Sequence, residues 1–479
     1  MIGRLGSLLM SFRVAFAREA TFRWFVVAVL GFIVRLDHHG VSSSIRWLQI
    51  RSELYEPFLA FFRSTALKLD AILSHWQSLV SARGAVRTRG GACVLIGDGI
   101  KVAKEAERMP GVKKLHQESE NSGKAPWIFG HHFGVVGMLV GTGDKCFCAP
   151  LAAELHEGVH ALRELQGKAC PIVDEQEKAT VVSLMGQLVK TVCVQLAAPC
   201  VAVLDAYFAV GPTFKIAAMV CRDDGQRLLH ILTRAKSNVV AYEDPPPQYS
   251  GRGRPRKHGR KLALQTLFTT RSDAFEPVSV SAYNEVKTVS ILCLDLLWNP
   301  IREKLRFVLV KDKTRTFILM CSDLTMDPGE IVELYASRFK IEVMFKTLKH
   351  LMGGFTYHFW TTAWNDAEGG CVAQLQQLPA RAQRLITEAM NAIEAFVNIA
   401  LIATGMLQLL AMDYTAEIRN RHRWWLRTYS SEVPSEEMVK TVIQHEFYHH
   451  FRNFKHTAIY RIIRDKARKQ APDPMRLAA

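Results

Sequence analysis

The sequence predicts an α/β protein with helical regions at both ends. Two short apolar runs, ACVLIGDG at 92–99 and CVAVLDAYFA at 200–209, each deliver an aspartate at their end. That is the pattern of a buried strand carrying a carboxylate to its tip. A block from 240 to 327 alternates like one strand after another, whereas 1–90 and 361–479 repeat their apolar residues at helical spacing. At 479 residues the chain exceeds one compact core, so several domains are expected.

Composition narrows the partner. The net charge of +16 points to a polyanion, nucleic acid before an anionic membrane surface. Half the residues are hydrophobic, which excludes wholesale disorder. Ten cysteines without regular spacing suggest free thiols in a reducing compartment, and Cys146-x-Cys148 is too tight for the usual zinc pair. The apolar run Trp24–Val34 has 11 residues between Arg23 and Arg35, short of the roughly 20 that cross a bilayer. Arg13, Arg18, Glu19 and Arg23 interrupt a leader-like start, and no small-residue cleavage site follows. The expectation is a soluble protein without an export signal or membrane partner.

Taken in order, residues 1–90 read as a basic helical region. They hold twelve basic residues, eleven of them arginine, against five acidic ones. Arginine suits phosphate and guanine edges. Val41–Arg46 has the look of a recognition-helix opening, with a plain bundle as its rival. Residues 91–239 read as the first part of an α/β core, with strand-like GVVGMLVG and KCFCAPLAAEL, a helix near Asp174–Cys193, and a further strand in GQRLLHILTRAKSN. Residues 240–327 bring a Pro-rich loop with six Lys/Arg among the eleven residues Gly251–Lys261. Strand-like LALQTLFTT, VSVSAY, VSILCLDLLW, LRFVLVKD and TRTFILMCSD follow. Residues 328–360 hold a helix, and 361–479 return to helices, with a long apolar one near Leu385–Met412. No internal repeat is visible.

The helix at Leu334–His350 organises the reading. Pro328-Gly329 suits its start, and no Gly or Pro interrupts it. At about 100° per residue, Tyr335, Arg338, Glu342 and Lys349 fall on one polar stripe, and Leu334, Ile341, Met344, Phe345 and Leu348 on a separate apolar one. The competing reading is a solvated face with an Arg338–Glu342 pair, worth a few tenths of a kcal/mol. Asp98, Asp205 and Glu342 decide between them, because three hard oxygen donors from separate elements suit Mg²⁺ or Mn²⁺ rather than zinc. Two such ions can activate a water or 3′-hydroxyl and stabilise the leaving oxygen of a phosphodiester.

Two other motifs compete for attention. Gly253-Arg254-Pro255-Arg256 can lie in an A·T-rich minor groove or contact phosphates from a solvated loop, and either places DNA near Arg252, Arg254, Arg256 and Lys257. His445-Glu446-x-x-His449 fits a zinc-protease helix. A third ligand is lacking, since no Glu follows Glu446 and the position ten beyond His445 is Lys455. A basic, aromatic DNA-facing surface is the favoured alternative there.

Tyr335, Arg338, Glu342 and Lys349 form Y-x2-R-x3-E-x6-K, and with it the chain resembles bacterial insertion-sequence transposases of the DDE class. The resemblance includes Asp98 in LIGDG, Asp205 in VLDAYF, the RAKSN exit, GRPRKHG and FRSTALKLD. It covers roughly residues 20–360 and leaves the last hundred unmatched. It implies a ribonuclease-H-like core with a β-rich insertion between Asp205 and Glu342. It also implies that Asp98, Asp205 and Glu342 hold two Mg²⁺ (or Mn²⁺) ions, while Tyr335, Arg338 and Lys349 contact the transposon end. Partners implied are end and target DNA and a second copy in a homodimer, in a bacterial cytoplasm near the nucleoid. Trp298 and Trp360 are stacking candidates for a flipped base, with core tryptophans as the alternative. A DNA-binding protein that has lost catalysis is the rival reading, opposed by the survival of all three carboxylates.

Overall fold

The computed structural model describes all residues except 105–107, 118–124, 143–144, 157–159, 169–179, 246–256, 283–284, 314, 365–371, 426–431 and 468–479. One mixed sheet of 13 strands runs through them. Its first half places Phe147–Leu155, Trp127–Val140, Ala92–Ala103, Cys200–Leu204 and Leu229–Arg234 side by side. In chain order this is the third, second, first, fourth and fifth strand. Among the first three each strand runs antiparallel to its neighbour, and the last two run parallel to Ala92–Ala103. The two predicted aspartate-bearing strands are therefore neighbours, with Gly97 opposite Leu204.

The β-rich block extends the same sheet. Thr316–Cys321 pairs antiparallel with Leu229–Arg234, followed by Glu303–Lys311 and Glu285–Trp298. LALQTLFTT departs from its predicted strand. Only Lys261–Ala263 is extended, and Leu264–Thr270 coils into short helical turns in which the Thr269 and Thr270 hydroxyls donate to the Thr266 carbonyl. A short apolar run serves either state, and here local hydroxyl bonds favour the turn.

The long helix predicted near Leu385–Met412 spans Ala380–Asp413 and packs on Phe147–Leu155. It is long and apolar enough to cross a membrane, yet 94% of its most apolar window is buried inside the protein. Its buried polar residues explain that position. Asn398 accepts from the Ala153 amide and donates to the Ala153 carbonyl, at 2.9 and 2.8 Å. Glu394 accepts from the Leu155 amide, Gln408 donates to the Cys148 carbonyl, and Trp76 donates to Pro150 at 2.7 Å. The strand's backbone, otherwise an open edge, is satisfied by side chains. Gly405 permits the approach, since a Cβ there would sit 2.2 Å from the Trp76 ring.

The N-terminal helices wrap this long helix. Trp24–Val34 lies within Glu19–Val34, a buried core helix. The suggested recognition helix is Gly40–Trp47, with Val41, Ser43, Ser44, Ile45 and Trp47 buried and Arg46 paired to Asp37 at 3.0 Å. Its apolar face packs on the core, while Ser42 and Arg46 stay exposed. The eight described cysteines are free thiols.

Candidate active site

Asp98 lies mid-strand in Ala92–Ala103, and Asp205 directly follows Cys200–Leu204. Parallel pairing runs in register to Gly97 opposite Leu204, so the next residue of each chain segment is its aspartate. Asp98 also accepts from the Gly99 amide at 2.7 Å.

The helical segment that carries Glu342 begins as predicted. Asp327 caps it by accepting from the amides of Gly329 and Glu330, and Pro328 occupies the first turn. It is not one uniform helix, however. Pro328–Ser337 ends at Arg338, where bonds of three-residue spacing run from Arg338 to Tyr335 and from Ile341 to Arg338. Phe339–Lys346 resumes the α form, and Thr347–Leu351 widens into a π turn. Leu334, Ile341, Met344 and Leu348 are buried, in keeping with the apolar stripe.

The guanidinium of Arg338 turns inward from the polar stripe, toward the carboxylates. It donates to Asp98 at 2.8 Å and to Glu342 at 2.7 Å, and lies 4.0 Å from Asp205. Its side chain is only 18% exposed. Three carboxylates around one site repel each other, and the nearest cation settles among them. Tyr335 lies half-buried beside it, and burial with the Asp205 charge pushes its phenol up to about 12. Burial pushes Asp98 up to about 6, against the opposing pull of Arg338. Lys349 is exposed on the π turn.

The donor chemistry fits a divalent ion, because three hard oxygens already face one positive charge. Among the described residues no three His, Cys, Asp or Glu side chains stand close enough together to hold an ion directly. The guanidinium separates them. Asp98, Asp205 and Glu342 would hold the metal once Arg338 moves aside.

The end of the glutamate segment is held by cations that the sequence did not reveal. Arg35 donates to the carbonyls of Met352 at 2.5 Å and Gly353 at 2.9 Å, and Lys440 donates to Leu351 at 2.6 Å. Lys104 donates to Phe355 at 2.5 Å and Tyr357 at 3.1 Å. Cations suit carbonyls exposed at a helix C-terminus. Burial lowers Arg35 to about 9 and Lys104 and Lys440 to about 7. Gly353 turns the chain at φ +60°, where a Cβ would sit 2.7 Å from His38 and 2.8 Å from Arg35. These cations come from three distant segments, so no local motif announces them.

Other predicted positions fare differently. Arg252, Arg254 and Arg256 lie outside the described residues, and Lys257 is exposed. Trp298 is buried against Phe214, as a core residue, whereas Trp360 is 54% exposed. The zinc-protease reading loses its base, because Glu446 is buried and accepts from the Met1 amino group, the Ile2 amide and Arg421. A carboxylate held by these donors is not available to activate water.

A profile of the family described as DDE superfamily endonuclease matches residues 11–291. The chain belongs to this family. Among curated proteins none matches it. Membership in the DDE superfamily endonucleases makes DNA the substrate class and divalent metal ions the general means of cleavage. The matched span contains both aspartates and stops before the glutamate segment, which the fold brings to them.

Proposed function

We propose that this DDE endonuclease is a DNA transposase that binds the terminal inverted repeats of its own element, cleaves at the element ends and joins the 3′-hydroxyl to target DNA. The observation that carries the reading is the convergence of Asp98, Asp205 and Glu342 on the single guanidinium of Arg338. The spatial strand order supports a ribonuclease-H-like core, with the two aspartates on its first and fourth strands. The intact Tyr335, Arg338, Glu342, Lys349 spacing supports the insertion-sequence group.

The chain's residues divide the work. Asp98, Asp205 and Glu342 supply the oxygens for two Mg²⁺ or Mn²⁺ ions. Such ions, when bound, activate the attacking water or hydroxyl and steady the leaving oxygen. Arg338 balances the carboxylates before DNA arrives and then transfers to a phosphate, which makes its role in end binding a second stage. Lys349 and Lys257 meet the DNA backbone, and Tyr335 keeps Arg338 oriented between its two positions. Two ends acting together call for a homodimer. The segment containing Arg252, Arg254 and Arg256 adds phosphate contacts.

The experiment is cleavage of a labelled duplex that carries the element's end, with Mg²⁺ and with EDTA. Nicking at the element boundary that requires the metal is the expected result. Binding of the end without nicking at any metal concentration would favour the rival reading, a DNA-binding protein without catalysis.

A further inference from the structure

The strand Trp127–Val140 runs past the Asp98 strand, and beyond it forms a two-stranded ribbon with Lys113–His116. Asp98 lies opposite Val135, Ile100 opposite Phe133 and Val102 opposite His131. Opposed residues share a face and successive residues alternate. The side chains of Phe129 and Trp127 therefore emerge on the same face of the sheet as Asp98. Phe129 lies six residues along the strand from the partner of Asp98, about 20 Å at ~3.3 Å per residue. That distance is about six base steps of duplex DNA at ~3.4 Å each.

Between the two places this face is covered. Phe355 packs on Phe133, and Tyr357 stacks on His131 and bonds to it at 2.6 Å. Past that cover, among the described residues, the apolar surface is bare. Trp127 is 49% exposed and Phe129 is 63% exposed, although both are large aromatics that a fold ordinarily buries. The facing strand sets Lys114 opposite Phe129 and His116 opposite Trp127. The Lys114 ammonium lies 4.9 Å from the Trp127 ring centre, and the His116 ring lies 4.8 Å from it, edge to face. The lysine holds the indole in place by a cation–π contact and leaves its own charge at the surface.

Two exposed rings at i and i+2 on one strand stand about 7 Å apart. That is about twice the rise between stacked bases in a duplex, so the pair suits bases that are already unstacked. Aromatic rings beside lysines on an open sheet surface form a platform for single strands, because every base offers a π face and every nucleotide a phosphate.

We propose that Trp127 and Phe129, with Lys114, form a binding platform for unpaired DNA, separate from the carboxylate site and on the same face. The proposal rests on the reading of this chain as a DNA-cleaving enzyme. It adds a second place where a strand freed near the cut is held. Stacking onto the two rings supplies the affinity, and Lys114 meets the intervening phosphate. The platform has no role in the chemical step itself.

The test is binding of two labelled oligonucleotides to the full chain in EDTA, one a single strand and the other the same sequence as a blunt duplex. Wild type is compared with Trp127→Ala/Phe129→Ala and with Lys114→Gln. Both ring side chains are exposed, and a thermal melt confirms that the variants fold. The double variant is expected to weaken single-strand binding by about 10- to 100-fold, since each ring contributes on the order of a tenfold factor. Its duplex affinity stays within about twofold of wild type. Lys114→Gln is expected to weaken the single strand by a few-fold and to flatten the salt dependence. Unchanged single-strand binding in the double variant overturns the proposal. Equal loss for single strand and duplex also overturns it, by showing a general backbone contact. Wild-type binding to neither oligonucleotide would instead sink the underlying reading of the chain as a DNA enzyme.

Discussion

Arg338 is the residue on which the site turns. Its single positive charge faces three carboxylates and offsets part of their mutual repulsion. Arg338→Ala is expected to lower the melting temperature of the metal-free protein by several degrees and to make added Mn²⁺ restore much of it. A differential scanning measurement with and without Mn²⁺ checks this. A variant as stable as wild type, with no greater response to Mn²⁺, would show that the guanidinium does not hold the site's charge in balance. This inward turn was not legible in the sequence. Helical spacing placed Arg338 on the stripe with Glu342, and the two do bond at i, i+4. The pull from Asp98, 240 residues away, is a tertiary fact. Asp98 and Asp205 were legible, because an apolar run that meets a carboxylate is a local pattern, although the Asp98 strand does not end there but continues to Ala103.

The element at stake is the glutamate segment with its exit. Its apolar face and its Asp327-Pro328 start follow from sequence signals that act over one turn. Its break at Arg338 and its π turn do not, because they answer to what the segment packs against. The cations at the exit make two predictions. Gly353→Ala forces a Cβ against His38 and Arg35 in a left-handed conformation. It is expected to cost about 1–3 kcal/mol in urea unfolding and to reduce cleavage with it. Lys104→Met leaves the Phe355 and Tyr357 carbonyls without their donor. A loss of about 1–3 kcal/mol is expected, together with faster hydrogen exchange in residues 352–358. Exchange unchanged from wild type would mean that Lys104 is not a clamp on this segment.

At the scale of the whole molecule, burial of ionisable groups sets how the fold responds to acid. His131 is lowered to about 3 and His132 to about 4, and His156 is held well below its usual range, each mainly by burial. A depressed histidine contributes stability that is present above the unfolded value near 6.5 and is lost as pH falls toward the folded value. Asp98, raised to about 6, works in the opposite direction between pH 6 and 4 but is a single group. Stability is therefore expected to fall between pH 6.5 and 4, by up to about 1.4 kcal/mol per pH unit for each histidine. Urea unfolding across that range tests it, and a flat profile would show that these histidines stay accessible to protons. Strand alternation foretold most of the sheet but not its continuity. The pairing of Leu229–Arg234 with Thr316–Cys321, which merges the β-rich block with the core, joins segments that no local signal links.

Most directly, the central claim is tested by Glu342→Gln and Asp98→Asn in the labelled-end assay, with binding and Mg²⁺-dependent cleavage measured on the same samples. Both variants are expected to bind the end within a few-fold of wild type and to lose cleavage by at least about a thousandfold. Cleavage near the wild-type rate in either one would remove that carboxylate from the chemistry and the three-carboxylate site with it.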